Sequence, residues 1–202
     1  NDIQKGLYRL APERLVLLPG FEALKGKEIW GMEKLKNGIL LATADDGLFF
    51  YENFKLAEWE GSATDYLKKN QTYSMLRLSD DKFAFGTIQN GLLISNNAGQ
   101  IVKTLNLENG LQNNTILSLK LDSFSNLWLG LDNGIDYLQI NSPFSYFSHS
   151  DGLSAGYASA NFNDKLYLGT NQGVFVKSWS SLKGEGERND FSIIEETRGQ
   201  VW

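Results

Sequence analysis

Short apolar segments alternate with polar, glycine-containing turns along most of the chain. The pattern is clearest in residues 115–122, 126–131, 134–140 and 144–148, which read TILSLKLD, NLWLGL, GIDYLQI and FSYFS. Their apolar residues lack the spacing of an amphipathic helix, and branched and aromatic side chains are frequent among them. Turn residues, such as Asp-Asn-Gly before the third segment, separate them. The segments therefore predict four antiparallel strands joined by hairpins.

This strand pattern recurs with a nearly constant period. Glycines at corresponding turns are separated by 41, 44, 43 and 39 residues, and they are Gly6, Gly47, Gly91, Gly134 and Gly173. A repeat of about 40–45 residues with strand-rich content is typical of the four-stranded blades of a β-propeller. Each sequence repeat is therefore predicted to form one blade.

The repeats predict an all-β fold, a β-propeller fragment of about four four-stranded antiparallel blades with partial blades at both ends. Helix is expected only in the connection SATDYLKKN, residues 62–70. Because four blades and two fragments do not close a ring of the usual size, we expect the chain to be part of a larger propeller. The expected segments are the end of a preceding blade at 1–26, blades at 27–61, 70–107, 113–149 and 156–197, and the start of the next blade at 198–202.

The first strand of each propeller blade lines the central channel. Trp30, Tyr73, Ile116, Tyr157 and Trp202 each open such a strand, at separations of 43, 43, 41 and 45 residues, and four of them are aromatic. An aromatic ring beside planar amide groups suits a sugar, although the aromatic residues have the alternative of packing between blades. The predicted ligand-binding residues are Trp30, Asn70, Gln71, Tyr73, Asn113, Asn114 and Tyr157.

Two further sets of residues are expected to be structural. Trp128 lies in a second strand, and we expect it in the core between blades, at a position held by Phe85 or Tyr167 in other repeats. Aspartates recur at the turns, where a carboxylate accepts hydrogen bonds from the nearby backbone. We therefore expect turn caps, rather than acid–base pairs or calcium ligands, at Asp45, Asp46, Asp80, Asp81 and Asp132.

Composition and charge exclude several classes of protein. The 202 residues are 42% hydrophobic and 21% charged, which is enough to build a core. The sequence has no cysteine, so it can hold neither disulfides nor thiolate-bound metals. Its net charge is −5, and its longest basic run is the pair Lys68 and Lys69, so we expect it to bind no nucleic acid. The apolar runs are too short to span a bilayer, and the first residues lack a signal-peptide pattern.

The sequence offers little for catalysis or metal binding. His149 is its only histidine and lies in a predicted turn, whereas a Ser-His-Asp triad or a histidine metal site needs convergent partners. We therefore predict a protein that is not an enzyme, with no catalytic residue, no metal ligand and no cofactor. A propeller lyase or hydrolase is the alternative, and it requires His149 to lie in a polar cleft near other titrating groups.

Residues 109–138, NGLQNNTILSLKLDSFSNLWLGLDNGIDYL, resemble the two-component regulator propeller repeat. That repeat has Gly-Leu, an Asn, a short apolar strand ending in Asp, a turn, and then Leu-Trp-Leu-Gly followed by a further Gly. The other repeats of this chain depart from the pattern, with Ser79 and Asn163 in place of the Asp. The matching residues are Gly110, Leu111, Asn114, Ile116, Asp122, Leu127, Trp128, Gly130 and Gly134.

The resemblance implies the sensor region of the hybrid two-component systems and one-component regulators of Bacteroidetes. In that family the propellers precede an immunoglobulin-like domain, a membrane span and a kinase or DNA-binding output. It implies a periplasmic carbohydrate sensor that acts as a homodimer, with further blades and output domains outside this chain. A generic protein–protein interaction propeller remains the alternative outside enzymes, since propellers host many functions.

Overall fold

The structure is a computed structural model that describes residues 2–142, 153–178 and 192–196, the last range by its backbone alone. The chain divides into two compact units, Asn1–Asn141 and Ser142–Trp202. Within the described ranges no helix is long and apolar enough to cross a membrane.

The first unit contains antiparallel sheets in which every strand pairs with its neighbour along the chain. A two-stranded hairpin comes first, and two four-stranded sheets and a three-stranded sheet follow it. The strands are β1 (Tyr8–Ala11) and β2 (Arg14–Leu17); β3 (Ile29–Lys34), β4 (Ile39–Thr43), β5 (Leu48–Glu52) and β6 (Lys55–Glu58); β7 (Thr72–Arg77), β8 (Lys82–Thr87), β9 (Leu92–Asn96) and β10 (Ile101–Leu105); and β11 (Ile116–Leu121), β12 (Leu127–Leu131) and β13 (Ile135–Leu138).

The second unit contains one four-stranded antiparallel sheet in its described part. Its strands also pair in sequence order, and they are β14 (Gly156–Phe162), β15 (Lys165–Thr170), β16 (Gly173–Ser178) and β17 (Ser192–Glu196). Leu153 and Phe175 are buried together, with Leu166 and Leu168 packed against them. The prediction of an all-β propeller fragment is confirmed.

Apolar residues on alternating strand positions form the cores between neighbouring sheets of the first unit. Leu40, Ala42 and Leu48 of the β3–β6 sheet are buried against Phe83 and Phe85 of the β7–β10 sheet. Successive strand residues point to opposite faces, so each sheet can contact two neighbours. The first strands of these sheets also contact one another, β3 with β7 and β7 with β11. Stacked sheets with adjoining first strands are the arrangement of propeller blades.

The predicted helix forms in the connection between β6 and β7. It is α1 (Ser62–Asn70), and its buried residues Ala63, Thr64 and Leu67 face the core. Lys68 in its last turn pairs with Glu58, and this hydrogen bond raises the pKa of Lys68. Lysine near the C-terminal end of a helix also interacts favourably with the helix dipole.

Trp128, which we expect in a core between sheets, is not buried by the other sheets of the first unit. Its side chain is 44% exposed, and it packs against Tyr137 of β13 with the ring centroids 4.8 Å apart. Its Nε1 donates a hydrogen bond to Asp122 Oδ2 at 3.3 Å. Trp128 is therefore held by contacts within its own sheet.

The strand register corrects the expected correspondence between Trp128 and Phe85. Leu119 pairs with Leu129 in one sheet, as Met75 pairs with Phe85 in the preceding sheet. Phe85 therefore corresponds to Leu129, and not to Trp128 as expected. A shift of one residue moves a side chain to the opposite face of a strand, and the counterpart of Trp128 is Ala84, which is buried in the core shared by the β7–β10 and β11–β13 sheets. The predicted strand at 144–148 and His149 lie outside the described residues.

Candidate ligand-binding face

A β-bulge recurs in the first strand of each sheet that has three or four strands. The pairing register shifts once in β3, β7, β11 and β14, each time by skipping one residue near the start of the strand. A bulge leaves its extra residue outside the ladder and redirects its side chain, and bulges are frequent beside functional sites. The residues at the four bulges are Trp30, Tyr73, Leu117 and Tyr157.

In the third sheet the bulge residue lies one position after the residue that the series predicts. Ile116, the predicted member, pairs with Leu131 and is completely buried, whereas the bulge places Leu117 at the equivalent position, 38% exposed. Ile116 instead belongs to the core shared by the β7–β10 and β11–β13 sheets. The series therefore has an aliphatic member in the third sheet.

Trp30 and Tyr73 form a direct contact between neighbouring sheets. Their ring centroids are 4.3 Å apart with an interplanar angle of 23°, which is a stacked arrangement. Trp30 is 43% exposed, and its Nε1 donates to Glu28 Oε2 at 3.2 Å. The pair thus places an apolar surface beside the exposed carboxylate of Glu28, and a carboxylate can accept further hydrogen bonds.

The four predicted amide residues lie in the connections that lead into β7 and β11. Asn70 Nδ2 donates to the carbonyl of Tyr66 at 2.8 Å, and Asn113 Oδ1 accepts from the Thr115 N–H at 2.8 Å. Asn114 Oδ1 accepts from the Leu107 N–H at 2.7 Å. These three side chains hold backbone in place beside the aromatic row, and each amide has further hydrogen-bonding capacity.

Gln71 occupies a special backbone position at the end of α1. Its φ is +57°, in the left-handed region that non-glycine residues seldom adopt. Its N–H donates to the Leu67 carbonyl at 3.2 Å, and its carbonyl accepts from the Ile88 N–H at 2.9 Å. This geometry ends the helix and turns the chain into β7, which brings Tyr73 to the bulge.

One turn of the second four-stranded sheet touches both groups of amide residues. The Gln89 N–H donates to the Asn70 carbonyl at 3.3 Å, and the Gly91 N–H donates to the Asn114 carbonyl at 2.8 Å. Tyr66 of α1 also reaches this turn, because its hydroxyl donates to the Asn90 carbonyl at 2.9 Å. Burial raises the pKa of Tyr66, which keeps it the neutral donor that this bond requires. The turn therefore contacts both connections that carry the predicted amide residues.

Tyr157 lies in the second unit. It sits at the bulge of β14, between the pairs that join Gly156 to Thr170 and Ala158 to Gly169, and is 74% exposed. Its local backbone setting is thus the same as that of Trp30 and Tyr73.

Threonines, rather than the predicted aspartates, stabilise the turns between the second and third strands. The Thr43 hydroxyl donates to the Gly47 carbonyl at 2.8 Å and accepts from the Asp46 N–H at 3.1 Å. Thr87 makes the same two bonds with Gly91 and Asn90. Sequence reasoning missed this role, although a Thr precedes the turn in three of the four repeats, at Thr43, Thr87 and Thr170, and is a readable signal.

Three of the predicted aspartates have side-chain partners, Asp46 in the turn between β4 and β5 and Asp80 and Asp81 in the turn between β7 and β8. Asp46 pairs with Lys27, Asp80 pairs with Arg77, and Asp81 accepts from the Ser79 hydroxyl at 2.6 Å, which lowers the pKa of Asp81. Groups of three or more side chains able to hold a metal ion are absent from the described residues.

Asp122 caps the turn between β11 and β12. Its carboxylate accepts from the backbone N–H groups of Phe124 at 2.8 Å and Asn126 at 2.9 Å, and from Trp128. These bonds, led by the one from Asn126, lower the pKa of Asp122. Ser125 in this turn has a φ of +60°. The Asp of the resembled repeat pattern therefore has a local structural task here.

No protein-family model matches the sequence, and no curated protein sequence matches it. Among solved structures, the chain is similar to the extracellular domain of BT4673 from B. thetaiotaomicron, a protein assigned as a hybrid two-component system. The TM-score is 0.52 at 21% identity, over 87% of this chain and 25% of that one. It is also similar to PorZ, a surface component of the type-IX secretion system of Porphyromonas gingivalis. That match has a TM-score of 0.51 at 20% identity, over 73% of this chain and 21% of that one.

The chain spans only about a quarter of the length of these two structures. At this level of identity the similarity concerns architecture, and it agrees with the resemblance of residues 109–138 to the propeller repeat of two-component regulators. The strand order, the stacked sheets and the comparisons together show that this chain has the β-propeller-type fold found in extracellular domains of Bacteroides two-component systems.

Proposed function

We propose that this chain is part of the ligand-sensing propeller of a signal-transduction regulator and that its ligand is a carbohydrate. The observation that carries the proposal is the recurring bulge, which presents Trp30, Tyr73 and Tyr157 from equivalent points of first strands. A bulge turns its residue out of the regular ladder, which a ring that packs only within the ladder does not require. The similarity to extracellular domains of two-component systems supports the regulatory part of the proposal.

The chemistry of the face suits a sugar. The stacked Trp30 and Tyr73 offer an apolar surface for the C–H groups of a sugar ring, and Glu28, which is bonded to Trp30, offers a carboxylate for its hydroxyls. In this proposal the protein is a sensor and not an enzyme. It lies in the periplasm and acts as a homodimer. Ligand binding shifts the relative populations of two arrangements of the protomers, and output domains outside this chain transmit the change.

The test is a glycan-library binding screen on this chain, followed by calorimetry with any hit. We expect Trp30→Ala to weaken binding about tenfold or more, because losing the stacking partner removes at least about 1.4 kcal/mol. Trp128→Ala is the matched control, because Trp128 is almost equally exposed but lies on a different face. Equal losses in both variants, or no glycan bound by a folded protein, would contradict the proposal.

A further inference from the structure

The chain contains four Asn-Gly pairs, and the structure holds them to different degrees. They are Asn37–Gly38, Asn90–Gly91, Asn109–Gly110 and Asn133–Gly134. An asparagine side chain is chemically labile when its amide carbon can meet the backbone nitrogen of the next residue. Glycine at that next position leaves the approach open, because it has no Cβ. Whether such a pair reacts in the folded protein therefore depends on the hydrogen bonds that hold its side chain and its backbone.

The Asn90–Gly91 pair, in the turn between β8 and β9, is held at both reacting groups. Asn90 Oδ1 accepts from Asn106 Nδ2 at 2.9 Å, and the Asn90 N–H donates to the Thr87 hydroxyl at 3.0 Å. The Gly91 N–H donates to the Asn114 carbonyl at 2.8 Å. Neither the side-chain amide nor the backbone nitrogen can therefore approach the other unless these bonds break.

The Asn133–Gly134 pair lies in the corresponding turn between β12 and β13, and it lacks these contacts. The turn is one residue shorter than those after β4 and β8, and Leu131 stands where they have a threonine, so no hydroxyl caps it. Asn133 is exposed, and neither its side chain nor the Gly134 N–H bonds to any residue in the described ranges. A Cβ at Gly134 would meet only Gln112 Oε1, at 4.0 Å. The turn therefore has both the freedom and the space for the two groups to meet.

The other two pairs are each restrained at one group. Asn109 Oδ1 accepts from the Asn106 N–H at 2.6 Å, which fixes the side-chain amide. Asn37 is exposed, but the backbone of Gly38 is packed so tightly that an added methyl group would overlap the Tyr51 carbonyl. Asn133–Gly134 is thus the pair whose two reacting groups are both unrestrained by the described residues.

We propose that Asn133–Gly134 is a site of spontaneous deamidation, by which the folded protein gains a carboxylate on the turn between β12 and β13. This turn lies beside the start of β11, because the Asp132 N–H donates to the Thr115 carbonyl at 3.1 Å. The bulge residue Leu117 follows in the same strand. The new carboxylate adjoins Asp132, so the modification makes this end of the sheet more negative. It needs no ligand and is independent of carbohydrate binding.

The reaction requires only hydroxide and water. Once the Gly134 N–H has lost its proton to hydroxide, the nitrogen bonds to Asn133 Cγ, and the Cγ–Nδ2 bond breaks. The leaving nitrogen takes a proton from water and departs as ammonia, and the residue is left as a succinimide ring. Water then opens the ring. Attack at Cγ breaks the new bond and gives aspartate, whereas attack at the main-chain carbonyl carbon breaks the original peptide bond and gives isoaspartate.

The test is an incubation of the full chain in mildly alkaline buffer made with water enriched in heavy oxygen. Digestion in ordinary water and fragmentation by mass spectrometry then locate each residue that took up the label, and deamidation during digestion carries none. The same chain unfolded in urea gives the rate that sequence alone sets for each pair. We expect Asn133 to react in the folded chain within about threefold of its unfolded rate. Folding should slow Asn90 about tenfold or more, because several hydrogen bonds must break there before the reaction.

Asn133→Gln is the matched variant, because it keeps the amide but would have to close a larger and less favourable ring. It should remove the label from the turn between β12 and β13 and leave the rates at Asn37, Asn90 and Asn109 unchanged. Any of these three reacting as fast as Asn133 in the folded chain would overturn the proposal. Slowing of Asn133 by about tenfold or more on folding would overturn it as well, because it would show that the turn is restrained after all.

Discussion

Replacing Gly31 by alanine tests whether the first strands of neighbouring sheets pack as closely as the structure shows. A methyl group at Gly31 would overlap the Cβ of Met75, and it would also lie 3.0 Å from the Met75 sulfur and 3.2 Å from its Cγ. The sulfur and Cγ can move away by rotation of the side chain. The Cβ cannot, because it is fixed to the backbone of β7, so the two strands must separate by about 1 Å.

The expected cost follows from that separation. Overpacking of this kind costs about 1–3 kcal/mol, and alanine returns about 0.5–1 kcal/mol because glycine is entropically unfavourable in a strand. We therefore expect Gly31→Ala to lower the free energy of unfolding by about 1–2 kcal/mol. Urea denaturation followed by tryptophan fluorescence measures it, with the slope unchanged if the denatured state is the same.

Two further variants make the reasoning refutable. Gly156→Ala is the matched control: its added methyl group meets nothing within 4 Å, so we expect no loss of stability. In a Met75→Ala background Gly31→Ala should still destabilise the protein, because alanine keeps the Cβ. A Gly31→Ala variant within about 0.5 kcal/mol of the parent, or full rescue by Met75→Ala, would show that strand spacing is not the constraint.

Two other predictions concern single polar groups. Tyr51→Phe should lower the free energy of unfolding by about 1 kcal/mol in chemical denaturation, because the hydroxyl of this buried side chain donates to the Pro19 carbonyl at 2.9 Å; an unchanged midpoint would count against that bond. The pKa of Asp122 is lowered by folding, so its stabilising contribution is complete above about pH 3.9, the ordinary value, and is lost as the pH falls through the lower folded value. Asp122→Asn should flatten the loss of stability between about pH 4, the ordinary Asp value, and about pH 2, roughly two units below it, and a parallel pH profile in the variant would contradict this.

The strands and the repeat could be predicted because their signals are local. Turn glycines and short branched or aromatic segments fix where each hairpin begins and ends, and the connection 62–70 shows helical spacing that the structure confirms as α1. These signals depend only on neighbouring residues. They survive in repeats whose sequences have otherwise diverged.

The sheet face on which each side chain lies could not be predicted in the same way. Ile116 and Leu117 are both apolar, and only the backbone bulge determines that the second of them is exposed. Trp128 was expected to correspond to Phe85, but the register pairs Trp128 with Lys120 and Tyr137 and makes Leu129 the counterpart of Phe85. A bulge has no clear sequence signature, and each slip of one residue inverts the face.

Part of the candidate face was nonetheless visible in the sequence. Trp30 and Tyr73 were chosen for their matching positions, and the structure brings their rings into contact. Glu28 was missed, because an acidic residue two positions before an aromatic one carries no signal until the bulge turns the indole towards it. The ion pair of Asp46 with Lys27 was also missed, since it joins residues that are 19 positions apart in the sequence.

At most positions of a sheet, a side chain that serves function must also fit the core, and the recurring bulge separates these two requirements. At a paired position the side chain must fit the core of the next sheet, so its identity is tied to stability. The bulge residue lies outside the ladder, and the chain uses Trp30, Tyr73, Leu117 and Tyr157 there without any change in strand order. Each repeat thus offers one site where evolution can exchange a side chain at little structural cost, so a ring of repeats can acquire a new specificity one blade at a time.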